Sequence, residues 1–343
     1  MYRKATPLFL ICQSPLHAGS GSELGIVDLP IQRERHTSFP KIESSSLKGA
    51  IREAIERKVY NNPETNKTFK SLDANDTKIH RAFGYDEGSL KDSEKKALKD
   101  LFENKNKKGE YATDFAGALG FTDARLLFFP VKSMKGVFAW VTCPKSLKQF
   151  VEDMKMAKLQ IAALEEVANF SLKEHSCITT SQAEVILKGD KGSNVILEEY
   201  TFNVSEVKVE LENLGKWLAD NILHEGNQVW AEKLAKDIII LPNDDFKDFV
   251  NLSTEVITRT KIDNSTGTVA TGALFTEEYL PAESIMYSLV LTAAEFKAED
   301  RIEEGSIRNF FNENLPPIVQ IGGNATLGKG IVTTKFLNEN GRN

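Results

Sequence analysis

Two glycine-rich runs lie towards opposite ends of the chain, and neither leads into a helix. No other feature limits the fold so much. Gly19, Gly21 and Gly25 resemble a dinucleotide fingerprint with one spacer too many, and the residues that follow, Ile26 to Gln32, have the pattern of a short strand. A dinucleotide site needs a helix there, because the helix N-terminus holds the pyrophosphate. The second run, GNATLGKG from Gly323 to Gly330, almost satisfies the phosphate-cradling GxxxxGK(S/T) loop, but Gly330 stands where a magnesium-binding hydroxyl belongs. It too enters a strand-like segment, IVTTKFL, so no positive helix N-terminus backs it. Doubly wound nucleotide-binding folds are therefore excluded.

The rest of the chain points to an α+β fold. Tyr2 to Gln13 reads as a first strand, and DARLLFFPVKSMKGVFAWVTCP as two strands around Lys132 to Gly136. Ser44, Ser45 and Ser46 offer N-caps to a helix from about Leu47 to Tyr60. Leu47, Ile51, Ala54, Ile55 and Val59 recur on it at helical spacing, which predicts one buried stripe. A long amphipathic helix is expected from Ser146 to about Asn169, and others over Leu211–Leu223 and Ala294–Asn312. Val256–Ile262, Thr268–Phe275 and Met286–Thr292 read as strands. Cys177 to Val204 reads as two strands joined by the turn KGDKGSN, an outward hairpin. Residues 61–111 are rich in Asn, Lys, Asp and Glu, which predicts an insertion carrying a solvated helix, KDSEKKALKDLFE. Strands and helices alternate irregularly among hairpins, so a parallel sheet is not expected.

With 41% hydrophobic and 27% charged residues, the 343-residue chain has a globular composition. The apolar run LFLIC is too short for a membrane span or a signal core. Cys12, Cys143 and Cys177 are odd in number and widely spaced, which supports neither a zinc knuckle nor a disulfide framework and suits a reducing cytoplasm. Net charge is -6, yet residues 1–58 hold nine Lys/Arg against six Asp/Glu, a local +3 that leaves -9 elsewhere. A basic groove on an acidic protein suits a local nucleic-acid path better than indiscriminate binding.

The stretch from His17 to Arg52 concentrates the chemistry. Asp28, between Val27 and Leu29, could ligate Mg²⁺ or take a proton from a ribose 2′-hydroxyl, with apolar neighbours to fix its carboxylate. His17 could act as a base or contact phosphate. Lys48 and Arg52 sit one turn apart on one flank, expected to be exposed, after a serine-rich helix start where anions bind well. The second glycine run suggests a mobile loop with free N–H groups and one lysine, Lys329, suited to a sugar-phosphate backbone. Glu277, Glu278 and Tyr279, with Arg259 on a nearby strand, could assist catalysis or merely pair at the surface.

HAGSG followed by VDLPIQRE, then SSSLKGAIRE, and finally GGNATLGKG resemble the RAMP superfamily of CRISPR proteins. Within it the chain is similar to the repeated backbone subunits of type III-B Cmr effector complexes; DARLLFFPVKS, ILEEYTF and TGALFTEEYLP carry the likeness further along. The resemblance implies one RAMP domain over residues 1–343, a ferredoxin-like, RRM-type palm with a β-hairpin thumb, here assigned to Cys177–Val204. It implies a cytoplasmic filament of several copies along a guide RNA, with other Cmr subunits, a complementary target RNA and no membrane. Ser46, Lys48, Gly49, Arg52 and the loop of Gly322, Gly323, Gly328, Lys329 and Gly330 would contact the guide. The family's catalytic aspartate falls on Asp28, which implies a metal-dependent endoribonuclease using Mg²⁺ or another divalent cation. Two alternatives stay open: a purely structural filament subunit, and a standalone guide-processing endonuclease with His17 as its base. No aromatic RNP-type motif is found, so base stacking on an open sheet face is not expected.

Overall fold

The computed structural model describes residues 4–22, 25–60, 74–85, 115–167, 170–190, 192–224, 226–295 and 302–337. At its centre lies β1 (Lys4–Cys12), a strand buried along most of its length on both faces. Such a strand needs apolar cover above and below. Leu8, Leu10 and Cys12 join one core, Phe9 and Ile11 the other. Helix α1 (Ser44–Tyr60) covers the first face with Leu47, Ile51 and Ile55, all fully buried as the helical spacing predicts. Burial of each such side chain contributes about 1.5–3 kcal/mol. The helix Glu304–Asn314 adds Ile307 and Phe311 to that layer. Helices Pro144–Met156 and Val209–Ile222 cover the second face through Leu147, Phe150, Leu211 and Leu218. Both faces of the sheet are thus covered around β1.

Four further strands place the site: β2 (Ala124–Lys132), β3 (Glu255–Ile262), β4 (Val269–Tyr279) and β5 (Ile285–Thr292), followed near the C-terminus by β6 (Ile331–Phe336). Around β1 the spatial order is β6-β1-β5-β2, with every neighbouring pair antiparallel. Helix α1 lies between β1 and β2 in the chain, and the helix Glu304–Asn314 between β5 and β6. Beyond β2 the sheet continues through Phe138–Thr142, Ile238–Ile240, Ser176–Thr179 and Tyr200–Val207, reaching thirteen strands among the described residues. It is a mixed sheet, because Tyr200–Val207 runs parallel to Ser176–Thr179. No helix among the described residues is long and apolar enough to cross a membrane.

Several expectations need correction. Cys177–Val204 is no outward hairpin: its strands are ladder members of the main sheet. The hairpin that does stand apart is β3–β4, a two-stranded sheet of its own. Ile26–Gln32 is a bend with isolated bridges, since Leu29 pairs with Glu277 and Ile31 with Gly19, and no ladder can extend between such different partners. The helix expected over Ser146–Asn169 breaks into Pro144–Met156 and Ala162–Val167, with Lys158 between them in the left-handed region. The final helix starts at Glu304; Ala293 instead donates its N–H to Ala118, and Glu295 to Ile302. Part of the expected insertion belongs to the core, since the helix Ala74–Phe83 buries Ile79, Ala82 and Phe83. The solvated helix expected at 91–103 lies outside the described residues.

Candidate functional site

β4 organises the site because each of its edges is used by a different part of the chain. β3 pairs with one edge, from Glu255 opposite Tyr279 to Ile262 opposite Val269. The other edge, Thr276 to Leu280, is taken by the first glycine-rich region. The Thr276 N–H donates to Asp28 Oδ2 at 2.8 Å, and the Leu29 N–H to the Thr276 carbonyl at 3.0 Å. Glu278 donates its N–H to the Leu29 carbonyl at 3.0 Å, and its own carbonyl accepts from His17 Nδ1 at 2.7 Å. Leu16 and Leu280 then exchange two backbone bonds of 2.8 and 2.9 Å. The edge groups that an isolated hairpin would leave open are thus satisfied from within the chain.

Asp28 is exposed and yet held. Its Oδ2 also accepts from the Thr276 hydroxyl at 2.9 Å, and its own N–H donates to the same hydroxyl at 2.9 Å. The Thr276 N–H, and after it the Thr276 hydroxyl, hold the Asp28 carboxyl below its ordinary value by stabilising the charged form. Among the described residues no further donor reaches Oδ1. The expected apolar clamp from Val27 and Leu29 is replaced by this polar one.

His17 is 9% exposed, its ring beside that of Tyr279 with centroids 5.5 Å apart. A carbonyl can only accept, so Nδ1 carries the hydrogen of this bond, and Nε2 is the ring's other nitrogen. Gly19 lies against that nitrogen: a Cβ added there would stand 2.8 Å from it. His17 and Asp28 therefore meet the same edge of β4, two residues apart.

The second glycine run closes on the first. Gly323 donates its N–H to the His17 carbonyl at 2.9 Å, and Gly330 to the Pro15 carbonyl at 2.9 Å. Asn324 reaches under the loop to Glu277, at 3.1 Å, and to the Tyr279 hydroxyl, at 2.9 Å. Tyr279 donates to Glu277 at 2.7 Å, and Arg259 ion-pairs with Glu277 and donates to the Tyr279 hydroxyl. Burial alone would raise the Glu277 carboxyl, but Tyr279, Asn324 and Arg259 together bring it below its ordinary value. Glu277, Glu278 and Tyr279 are accordingly buried, not paired at the surface. Glu278 anchors the bend from the same strand: its carboxylate accepts from Arg33 at 2.5 Å, from the Ile31 N–H at 3.0 Å and from Thr254 at 2.8 Å.

In the loop Gly322–Gly330, several of the N–H groups expected to be free are taken within the chain. The N–H groups of Gly323, Leu327, Gly328, Lys329 and Gly330 all donate to backbone carbonyls, and Ala325–Leu327 form a 3₁₀ turn. Lys329 is half-buried, with Nζ 4.9 Å above the Tyr279 ring. Gly322, Gly323 and Gly328 are exposed and Gly330 is buried.

The helix start also differs. Ser44 opens α1, so Ser44, Ser45 and Ser46 form its first turn instead of capping it. The Asp123 carboxylate accepts from the Ser44 N–H at 2.9 Å and from Lys41 at 2.9 Å, which puts the chain's own anion at the expected anion site. Ser46 faces Gln32, which also bonds the Gly19 carbonyl and the Glu43 N–H. Lys48 and Arg52 do share a flank, but a half-buried one. Lys48 donates to the Leu119 carbonyl at 3.2 Å, and Arg52 holds Glu56, the Gly84 carbonyl and His80. Gly49 is exposed between them. Cys12, Cys143 and Cys177 are all free and buried; burial, with Glu283 nearby, pushes the Cys12 thiol up to about 12.

Among the described residues the protein side chains alone do not assemble a site for a divalent cation. Among the described residues no three His, Cys, Asp or Glu side chains are grouped to hold one, and Asp28 stands as a single carboxylate with Oδ2 engaged. Sequence reasoning missed Thr276, Asn324 and Arg33. Thr276 stands directly before EEY, but no local pattern ties it to a partner 248 positions away.

The RAMP superfamily profile matches residues 9–333. The Cmr endoribonuclease Cmr4 of Pyrococcus furiosus is 36% identical over 341 residues, 98% of each chain. The crystal structure of oligomeric Cmr4 from the same organism superposes with a TM-score of 0.63 at 28% identity, covering 97% of this chain and 98% of that one. A chain of the type III-B Cmr-beta complex bound to cognate target RNA shares the fold, with a TM-score of 0.65 at 21% identity over 98% of each.

Proposed function

The chain belongs to the RAMP superfamily, and from that premise we propose that it is the repeated backbone subunit of a type III-B Cmr complex, bound to guide RNA and cutting complementary target RNA. The four-strand group β6-β1-β5-β2, with its two helical crossovers, has the strand order of a ferredoxin-like palm. The thumb is β3–β4, a long hairpin that forms a two-stranded sheet apart from the main one. Base pairing supplies sequence choice, while the protein grips backbone shape and pushes the thumb between bases. Oligomeric crystals of the P. furiosus relative support stacking of copies. The guide lies along the exposed parts of the glycine loop, Gly322, Gly323 and Gly328, and along α1 at Gly49.

The observation that carries the nuclease reading is the exposed Asp28 carboxylate, fixed on the base of the thumb hairpin. A nucleotide splayed by the hairpin brings its 2′-hydroxyl to this carboxylate. Asp28 takes the hydroxyl proton, the 2′-oxygen attacks the adjacent phosphorus, and the bond to the 5′-oxygen breaks, the leaving oxygen taking a proton from solvent. The products are a 2′,3′-cyclic phosphate and a 5′-hydroxyl. Positioning contributes most, because paired A-form RNA does not align the 2′-oxygen with the leaving group. Each step rests on the chain's own groups and solvent. His17, with Nδ1 spent on Glu278, orients the loop through its carbonyl bond to Gly323.

The test is end-group analysis of target RNA cut by the assembled complex. Cyclic phosphate ends at regular spacing, lost at any single cut when that nucleotide is 2′-deoxy, are expected. Ends with 3′-hydroxyl and 5′-phosphate would overturn the mechanism.

A further inference from the structure

We propose that Thr276 is the positioning residue for Asp28 and that it makes the thumb hairpin part of the catalytic apparatus. This rests on the reading of Asp28 as the base and deepens it. Three hydrogen bonds join the two residues and no others, forming a closed reciprocal unit. The Thr276 hydroxyl donates to the carboxylate and accepts from the Asp28 N–H, while the Thr276 N–H donates to the same carboxylate oxygen. Thr276 thereby fixes both the backbone of the bend and the rotamer of its side chain.

The need for such a clamp is local. Asp28 lies in a bend without regular strand pairing, beside Gly25 and the almost wholly exposed Ile26. The two leading causes of the lowered Asp28 carboxyl both come from Thr276, outside the bend. The neighbouring Leu29–Glu277 bridge and the Arg33–Glu278 pair attach the bend to the same strand, so the aspartate and β4 move together. Thr276 is opposite Thr258 in the hairpin ladder, which makes the threonine a member of the element that parts the bases. The group that distorts the target and the group that reacts with it are held in one register. An error of about 1 Å in placing a reacting group can cost about a hundredfold in rate.

The experiment uses the complete complex assembled with Thr276→Val, Thr276→Ser or Asp28→Asn in every backbone copy, and one guide with its target. Valine keeps the shape and the backbone N–H and removes only the hydroxyl. Single-turnover cleavage by Thr276→Val should fall about tenfold or more, with target affinity unchanged. Its acid limb should move to higher pH, because Asp28 loses a donor that stabilises its charged form. Thr276→Ser, which restores the hydroxyl, should cut within about twofold of the unaltered complex. Asp28→Asn should not cut. If Asp28→Asn is inactive while Thr276→Val cuts at the normal rate with an unmoved acid limb, the role of Thr276 is overturned and that of Asp28 stands. Failure of Thr276→Ser to restore cutting, or a loss of target affinity equal to the loss of rate, also overturns it. Cutting by Asp28→Asn overturns the base itself.

Discussion

Substituting Gly322 and Gly328 separately distinguishes a loop built to close on the protein from one built only to meet RNA. Both residues have positive φ, 82° and 70°. Alanine in that region costs about 1–2 kcal/mol at either position. Their surroundings differ. A Cβ on Gly322 would stand 2.2 Å from the His17 carbonyl oxygen and 2.8 Å from its carbon, whereas one on Gly328 would meet nothing within 4 Å. The His17 carbonyl is backbone and is held by the 2.9 Å bond from Gly323, so it cannot simply swing aside. Relief requires the loop to retreat and that bond to break, adding about 0.5–1.5 kcal/mol. Gly322→Ala should therefore destabilise by about 1.5–3.5 kcal/mol and Gly328→Ala by about 1–2 kcal/mol. Urea unfolding of the two purified variants, with unchanged m-values, measures the difference. Equal midpoints for the two would refute the close packing of the glycine runs. A guide-binding defect in Gly328→Ala larger than its loss of stability accounts for would then report an RNA contact.

Arg33→Ala leaves the Glu278 carboxylate, 6% exposed, without its cation, so chemical unfolding should show a loss of about 2–4 kcal/mol. Arg57→Ala, which removes an exposed pair with Glu53, should stay within about 0.5 kcal/mol in the same assay. His80, through burial and then the charge of Arg52, is pulled down to about 4 from 6.5. Between those values the folded state binds fewer protons than the unfolded chain, so stability should decline as pH falls through that window. The decline attributable to His80 is about 2–3 kcal/mol and should flatten in His80→Gln, measured by urea midpoints across pH.

Elements whose signal is local were legible in the sequence. β1, the stripe of α1, and the strands on either side of Lys132–Gly136 follow from apolar periodicity alone. KGDKGSN does turn the chain between two paired strands, but a turn says nothing about which sheet its strands join, so the expected outward hairpin lies in the main sheet. Ladder pairing of Tyr200–Val207 with Ser176–Thr179 is a long-range decision that the turn residues do not encode. Pairing of the two glycine runs was legible as composition, but its physical basis was not: their contact is through backbone groups, Gly323 to His17 and Gly330 to Pro15, which any residue carries. The exposed flank expected for Arg52 failed because residues 74–85, within the segment read as an insertion, bring His80 and Gly84 within reach of it. Glu277 and Glu278 looked like surface charges for a similar reason. Their partners, Arg259, Asn324 and Arg33, come from three separate parts of the chain.

Target cleavage by a complex in which every backbone copy carries Asp28→Asn tests the central claim most directly, because the amide keeps the side chain's size and still accepts from Thr276. Guide and target should bind with unchanged affinity, and every regularly spaced cut should disappear. Persistence of those cuts at the normal rate would contradict the account and leave the subunit a scaffold for a nuclease elsewhere in the complex.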